Sequence, residues 1–188
     1  MNFPYYHRSR RSLRLKDYDY SQPGGYFLTM VTFQREHLFG EIVEGTMQLN
    51  KAGEIVQEIW ESLSVRYPNI ILDEMVVMPN HVHGVVFVDD NLVAEVVAEV
   101  HELPLQRENE TPEEYRLRRR KMLIPKVVGY FKMNSAKAIN KLLDSEGIPV
   151  WQRNYYDHII RSEKELDRIR KYIYYNPQQW ENDDYHNS

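Results

Sequence analysis

The sequence contains no cysteine. This absence excludes disulfide bonds, thiolate metal sites and cysteine nucleophiles, and it is typical of a protein from a reducing compartment. The sequence also lacks an apolar run near the roughly 20 residues that a membrane helix needs. Its first residues, MNFPYYHRSRRS, do not contain the apolar core of a signal peptide. We therefore expect a cytoplasmic protein with no membrane partner.

The 188 residues, of which 42% are hydrophobic and 28% charged, are enough for one hydrophobic core. We expect a single domain over residues 1–188. A basic N-terminal segment over residues 1–22 precedes the predicted core. Around residues 89–121 the chain turns acidic and loses clear periodicity, which predicts a surface insertion.

The formal net charge of −4 conceals two blocks of basic residues. Both are candidate contacts for DNA phosphates, with a solvated tail and a charged helix face as the alternatives. Arg153 lies beside Trp151 and two tyrosines, and this mixture suits the stacking of unpaired bases. The predicted DNA contacts are Arg8, Arg10, Arg11, Arg14, Lys16, Arg118, Arg119, Arg120 and Arg153.

Hydrophobic patterning predicts strands over residues 26–33, 70–78, 81–88 and 155–161, with a short strand or arm over 38–43. Apolar residues at helical spacing predict a first helix that begins after Asn50, its N-cap, and ends near residue 67. The same spacing predicts a second helix over 127–142. Ser162 is the predicted N-cap of a third helix that Pro177 ends.

This order of elements predicts an α+β fold with a mostly antiparallel sheet and helices packed chiefly on one face. A ferredoxin-like or RRM-like arrangement of split βαβ units is the natural candidate, with hairpin strands at the centre of the sheet.

The stretch MVVMPNHVHGVVFV places His81 and His83 two residues apart in a predicted strand. Side chains alternate along a strand, so both imidazoles face the same way and can offer a metal ion two nitrogens. Val82 points to the opposite face, and Gly84 is expected to leave open space beside the second imidazole. A satisfied polar pair on a half-wet face is the alternative.

The third predicted helix carries Tyr172 and Asn176 on one stripe, one turn apart. Core packing of the tyrosine and a helix-end role for the asparagine are the ordinary interpretations. Two imidazoles on a strand with a phenol and a carboxamide on a helix form a combination of groups suited to metal-assisted chemistry.

The chain resembles the single-tyrosine HUH transposases and, within them, the REP-associated tyrosine transposase group. The resemblance rests on four stretches: GGYFLTMVTF, MVVMPNHVHGVV, IPKVVGYFKMNSAKAIN and WQRNYYDHIIRSEKELDRIRKYIYYNP. It implies that Tyr172 is the nucleophile and that His81, His83 and Asn176 hold a divalent metal ion. Family members outside this group often carry Gln at the last position.

The resemblance further implies a metal-dependent endonuclease and transposase acting on single-stranded DNA beside repeat hairpins, through a 5′-phosphotyrosine. The mixed nitrogen and oxygen ligands suit Mg²⁺ or Mn²⁺, with zinc compatible on ligand type alone. His158, on the strand before the helix, is a candidate to support a metal ligand or contact DNA, with a structural role as the alternative. The residues are compatible with a monomer or a homodimer.

Two other classes of protein compete with this interpretation. A histidine-triad hydrolase needs a further alternating histidine, and this chain has Val85 at that position. A protein derived from a transposase that binds repeat hairpins in DNA or RNA without cutting them fits the same basic blocks and aromatic residues.

Overall fold

Six strands appear in the computed structural model, which describes residues 19–89, 111, 114 and 122–186. They are β1 (Gly24–Val31), β2 (Gly40–Val43), β3 (Thr46–Leu49), β4 (Ile70–Met78), β5 (His81–Val88) and β6 (Tyr156–Ile160). Four of them form an antiparallel sheet in the order β4-β5-β1-β6, and β2 and β3 form a separate hairpin. The predicted α+β class with a mostly antiparallel sheet is confirmed. Of the two hairpin strands predicted at its centre, β5 is central and β4 is an edge strand.

Within the same described ranges, three long helices and one short helix accompany the strands. They are α1 (Lys51–Glu61), α2 (Leu63–Arg66), α3 (Leu123–Leu142) and α4 (Glu163–Tyr175), and a 3-10 helix at Pro177–Asn182 follows α4. Both predicted N-caps are present. The Asn50 side chain accepts hydrogen bonds from the backbone of Ala52 and Gly53, and Ser162 accepts one from Glu165.

The two faces of the sheet carry different layers. The larger core lies on the side of α1 and α3, where Tyr26 and Leu28 of β1 join Trp60 and Phe131. Phe27 points the other way and packs with Val85 and two isoleucines of α4, Ile169 and Ile173. α4 therefore lies across the sheet from the other two long helices, on the face that carries both histidines.

Three local differences separate the structure from the sequence prediction. β3 continues the single predicted arm into a hairpin, through a turn at Glu44 and Gly45 with positive φ. α3 begins at Leu123, four residues before the predicted start. The space beside Gly84 is not open: an added Cβ would meet the Trp60 ring at 2.4 Å, so this glycine lets α1 approach the sheet.

Several predicted features lie outside the described residues. They are the basic residues Arg8, Arg10, Arg11, Arg14 and Lys16, most of the insertion at 89–121, and Arg118, Arg119 and Arg120. Across the described ranges, no helix is long and apolar enough to cross a membrane.

Candidate metal centre and nucleophile

His81 and His83 lie side by side on the face of β5 that α4 covers. Their ring centroids are 4.6 Å apart, and both residues are 0% exposed. Val82 between them packs into the larger core on the opposite face. The pair therefore has the common orientation that strand alternation predicts.

Asn80 determines which nitrogen of His81 faces the site. Nδ2 of Asn80 donates to the backbone carbonyls of Arg35, at 3.2 Å, and Tyr185, at 2.8 Å. Its Oδ1 therefore faces Nδ1 of His81, 2.9 Å away, and an amide oxygen only accepts hydrogen bonds. Nδ1 of His81 must carry the proton, and Nε2 presents a lone pair. This Nε2 is buried without a hydrogen-bond partner, the condition of a nitrogen suited to a metal ligand.

His83 is held at both ring nitrogens. Nδ1 lies 2.8 Å from Oγ1 of Thr29, the residue directly opposite it in the β1–β5 register. Nε2 lies 3.1 Å from the hydroxyl of Tyr172. The sheet and α4 thus orient this imidazole from two sides, and its Nε2 faces the same space as Nε2 of His81.

Tyr172 is the tyrosine of α4 that reaches the histidines. Its ring lies 5.1 Å from the His83 ring and packs edge-on against Phe27, with centroids 6.2 Å apart. Tyr174 and Tyr175 are 68% and 44% exposed and lie on other sides of the helix. The structure therefore places the hydroxyl of Tyr172, among the three tyrosines of α4, beside an imidazole.

Asn176 and Asp183 supply oxygen atoms next to the two imidazoles. Nδ2 of Asn176 donates to Oδ2 of Asp183 at 2.9 Å, so Oδ1 of Asn176 points elsewhere, and it is buried without a hydrogen-bond partner. Ligand atoms of His81, His83 and Asp183 all lie within 4.8 Å of one another. Two imidazole nitrogens and a carboxylate oxygen are therefore close enough to hold one small cation.

Asp183 was missed by the sequence analysis, as were Asn80 and Thr29. The predicted helix ends at Pro177, but the 3-10 helix after it turns the chain back, so that Asp183 returns to Asn176. The available signal for Asp183 was an acidic pair, Asp183-Asp184, shortly after the motif YIYYNP. Nothing in the local pattern distinguished this pair from surface acids.

Burial determines the charge state of the two histidines. It lowers the pKa of His83 from 6.5 to about 3 and lowers the pKa of His81 well below its ordinary value, with the neighbouring His83 adding to the effect and Asn176 opposing it. Burial raises the pKa of Asp183. Both imidazoles are therefore neutral near pH 7, which is the form that binds a metal ion.

A C-terminal segment, residues 183–186, covers the histidines. The Tyr185 ring lies 4.6 Å from the His81 ring, and Trp180 lies 6.0 Å from it. Arg35 holds this segment, since its Nη1 donates to the carbonyl of Asp184 at 2.9 Å and its guanidinium lies over the Tyr185 ring. The site is thus enclosed between the sheet, α4 and this segment, which we name the C-terminal cover.

Two further predicted residues, His158 in β6 and Arg153 in the loop before it, lie away from the two histidines of β5. Nε2 of His158 lies 2.8 Å from Oε1 of Glu165, whose other oxygen accepts from the backbone of Arg161. His158 therefore ties β6 to the first turn of α4. Arg153 is exposed in the loop before β6, where its backbone carbonyl accepts from Lys132. Its side chain is accessible to a ligand.

Comparison with known proteins identifies a relative by sequence. No protein-family model matches the chain. A Haemophilus influenzae protein described as uncharacterised is 40% identical over 175 residues, which cover 93% of this chain and 91% of that protein.

Two solved structures resemble the chain at lower similarity. One is a REP-associated tyrosine transposase bound to a REP hairpin, at 16% identity and a TM-score of 0.48, covering 90% of this chain and 73% of that one. The other is a provisionally named transposase from Deinococcus radiodurans, at 18% identity and a TM-score of 0.45, covering 81% and 90%. At these TM-scores neither resemblance decides the function of this chain.

Proposed function

We propose that this chain, which belongs to one family with the Haemophilus influenzae protein, is a metal-dependent endonuclease and transposase of single-stranded DNA. Cleavage would occur beside a repeat hairpin and proceed through a 5′-phosphotyrosine. The observation that carries the proposal is the 3.1 Å distance between the Tyr172 hydroxyl and Nε2 of His83. A potential nucleophile thus lies next to a potential metal ligand.

The residues fit a divalent cation. Nε2 of His81 and Oδ1 of Asn176 are buried acceptors without hydrogen-bond partners, and such atoms are rare unless something binds them. We assign His81, His83 and Asn176 as ligands of Mg²⁺ or Mn²⁺, with Asp183 as a further oxygen donor. When bound, the ion would withdraw charge from a phosphate oxygen and so favour attack at phosphorus.

The protein's own contribution to the reaction is the Tyr172 hydroxyl and its placement. The phenol oxygen would form a bond to phosphorus while the bond from phosphorus to the 3′ oxygen breaks. The phenol proton passes to solvent, and the departing 3′ oxygen takes up a proton to become a hydroxyl. The DNA end is then joined to Tyr172 through its 5′ phosphate, and a new 3′ hydroxyl can reverse the step without ATP.

Packing limits how Tyr172 can move during such a step. Phe27 contacts its ring from the sheet, and Ile169 and Ile173 anchor α4 on the same small core. Holding a nucleophile in one orientation removes part of the entropic cost of the reaction. The predicted phosphate contacts of the N-terminal basic segment, Arg118 to Arg120 and Arg153 would bring the DNA to this position.

Incubation with labelled single-stranded hairpin DNA and Mn²⁺ tests the proposal directly. We expect a covalent protein–DNA adduct that survives denaturing electrophoresis, together with a fragment ending in a 3′ hydroxyl. Addition of a chelator should abolish both products. Cleavage without an adduct, or an adduct that forms equally well in the chelator, would contradict the mechanism.

The C-terminal cover favours a second candidate, a protein that binds repeat hairpins without cutting them. Both imidazoles are 0% exposed beneath this segment, so a phosphate reaches them only if the cover moves. Tyr185→Ala should loosen the cover because it removes the ring that packs on His81. Hairpin binding with no adduct, in both the wild-type protein and Tyr185→Ala, would support the second candidate.

A further inference from the structure

The solvent side of α4 carries a row of basic and aromatic side chains. All are exposed, and the two tyrosines are 68% and 44% exposed. We name this surface the α4 ridge, formed by Lys164, Arg168, Lys171, Tyr174 and Tyr175.

Helical spacing brings four of the five ridge residues into one row, and this row passes close to the proposed nucleophile, Tyr172. At about 100° per residue, Lys164, Arg168, Lys171 and Tyr175 fall within about 60° of one another around the axis. Tyr172 follows Arg168 by four residues and lies between the ridge and the core. A linear ligand on the ridge would therefore pass beside Tyr172.

Within the described residues, Lys164, Arg168 and Lys171 form no ion pair. Two of the three acids in these helix turns have other partners, since Glu165 bonds His158 and Asp167 lies 4.0 Å from Arg170. The third acid, Glu163, is exposed. Three cations in a row are complementary to a phosphate backbone.

The tyrosines indicate which nucleic acid the ridge suits. Tyr174 and Tyr175 lie edge to face, with centroids 5.0 Å apart, and expose ring surface to solvent. Unpaired bases can stack on such rings, whereas the bases of a duplex are already stacked on each other. Aromatic side chains beside a line of cations therefore favour a single strand.

We propose that the α4 ridge binds the single-stranded part of the DNA substrate and leads its backbone to Tyr172. This inference rests on the proposed function for the chemistry at Tyr172, but binding to the ridge can be measured without cleavage. The three cations contact successive phosphates, and the two tyrosines stack on bases of the same strand.

The test compares three variants made in a Tyr172→Phe background, which is expected to bind DNA without forming an adduct. The first is Lys164→Gln/Arg168→Gln/Lys171→Gln, and the second is Tyr174→Leu/Tyr175→Leu. The control, Lys126→Gln/Lys137→Gln/Lys141→Gln, removes three exposed charges from α3 on the other side of the sheet. Affinities for a fluorescent oligothymidylate and for a duplex of equal length are measured over a range of salt concentrations.

We expect the charge variant to bind the oligothymidylate about 10-fold more weakly and its salt slope to fall by about 2, because each lost phosphate contact removes about 0.7 counterion. The tyrosine variant should bind the oligothymidylate about 10-fold more weakly, with an unchanged salt slope, because stacking is not ionic. The control should bind as the parent does. Duplex affinity should change less than single-strand affinity.

If the α3 control loses as much affinity for the oligothymidylate as the ridge variants do, the ridge is an ordinary solvated helix face. Unchanged affinity in both ridge variants would show the same. Equal losses for duplex and single strand would overturn the assignment to single strands. If the wild-type protein forms no adduct at Tyr172 while the ridge variants still lose affinity for the single strand, the proposed function is wrong. Binding of single strands to the ridge would then still be supported.

Discussion

Oδ1 of Asn80 lies 2.9 Å from Nδ1 of His81, and this contact directs the other ring nitrogen toward the site. The asparagine cannot turn without losing its two hydrogen bonds to the carbonyls of Arg35 and Tyr185. The same side chain therefore orients a proposed metal ligand and holds the C-terminal cover. Groups that orient a ligand in this way commonly tune metal affinity.

Replacing Asn80 should weaken metal binding although Asn80 is not itself a proposed ligand. Asn80→Ala removes the acceptor for His81, so we expect Mn²⁺ affinity to fall by about 10- to 100-fold in calorimetric titration. Asn80→Asp keeps an acceptor for Nδ1 of His81 but sets its other oxygen against the carbonyls of Arg35 and Tyr185. We therefore expect its Mn²⁺ affinity to fall less than that of Asn80→Ala, with a looser C-terminal cover. Equal affinities in the wild type and Asn80→Ala would show that the contact does not orient His81 for binding.

His81→Ala/His83→Ala should abolish Mn²⁺ binding and metal-dependent cleavage, because it removes both nitrogens of the proposed site. Asp183→Asn should weaken binding less, since it removes one charge and keeps the shape of the side chain. Calorimetry and circular dichroism separate loss of the site from loss of the fold. Unchanged Mn²⁺ affinity in the double variant would refute the assignment.

Tyr172→Phe keeps the ring and its contact with Phe27 but deletes the hydroxyl that lies beside His83. We expect hairpin binding within about 2-fold of the wild type, and no cleavage or covalent adduct above background. Tyr156→Phe is the matched control, because its ring also contacts Phe27 and belongs to β6. An adduct that persists in Tyr172→Phe and disappears in Tyr156→Phe would place the nucleophile on β6.

Acid should destabilise the metal-free protein through the buried histidines. Since burial lowers the pKa of His83 from 6.5 to about 3, the unfolded chain binds a proton in that interval and the folded chain does not. The free energy of unfolding therefore decreases as pH falls below 6.5, approaching about 1.4 kcal/mol per pH unit for each such histidine.

Urea denaturation between about pH 7.5 and about pH 5, in a chelator, measures this dependence. His83→Gln removes one of the two buried imidazoles and should make the dependence on pH less steep. Parallel curves for His83→Gln and the wild type would show that His83 does not titrate in this way.

The predicted basic N-terminal segment supplies a separate test. Arg10→Gln/Arg11→Gln/Arg14→Gln should weaken hairpin binding and reduce the salt slope by about 2 to 3, because each lost contact with duplex phosphate removes about 0.9 counterion. Fluorescence anisotropy at several salt concentrations measures both quantities. A salt slope equal to that of the wild type would identify the segment as a solvated tail.

Local sequence patterns were sufficient for most of the fold. Asn50 and Ser162 mark the beginnings of two helices because their side chains accept backbone hydrogen bonds, a property that depends only on near neighbours. The alternation of side chains along β5, which also depends only on near neighbours, predicted that both histidines share one face. The β2–β3 hairpin was predicted only in part, since its strands are only four residues long and lie outside the main sheet.

The composition of the site was only partly predictable. Strand and helix spacing grouped His81 with His83 and Tyr172 with Asn176, whereas the roles predicted for Tyr172 and Asn176 come from the resemblance to a transposase family. The open space predicted beside Gly84 is filled by the Trp60 ring. The sequence shows that Gly84 has no side chain, but it does not show which distant residue packs against it.

The sequence by itself determined the four strands of the main sheet, the long helices and the residues that each presents on a common face, since these follow from periodicity and capping over a few positions. Only the tertiary structure placed Thr29 against His83, turned Asn80 toward His81 and returned Asp183 to Asn176. Those contacts depend on strand register, side-chain direction and the path of the chain after Pro177. Such features are decided by packing between distant segments, and no local pattern records them.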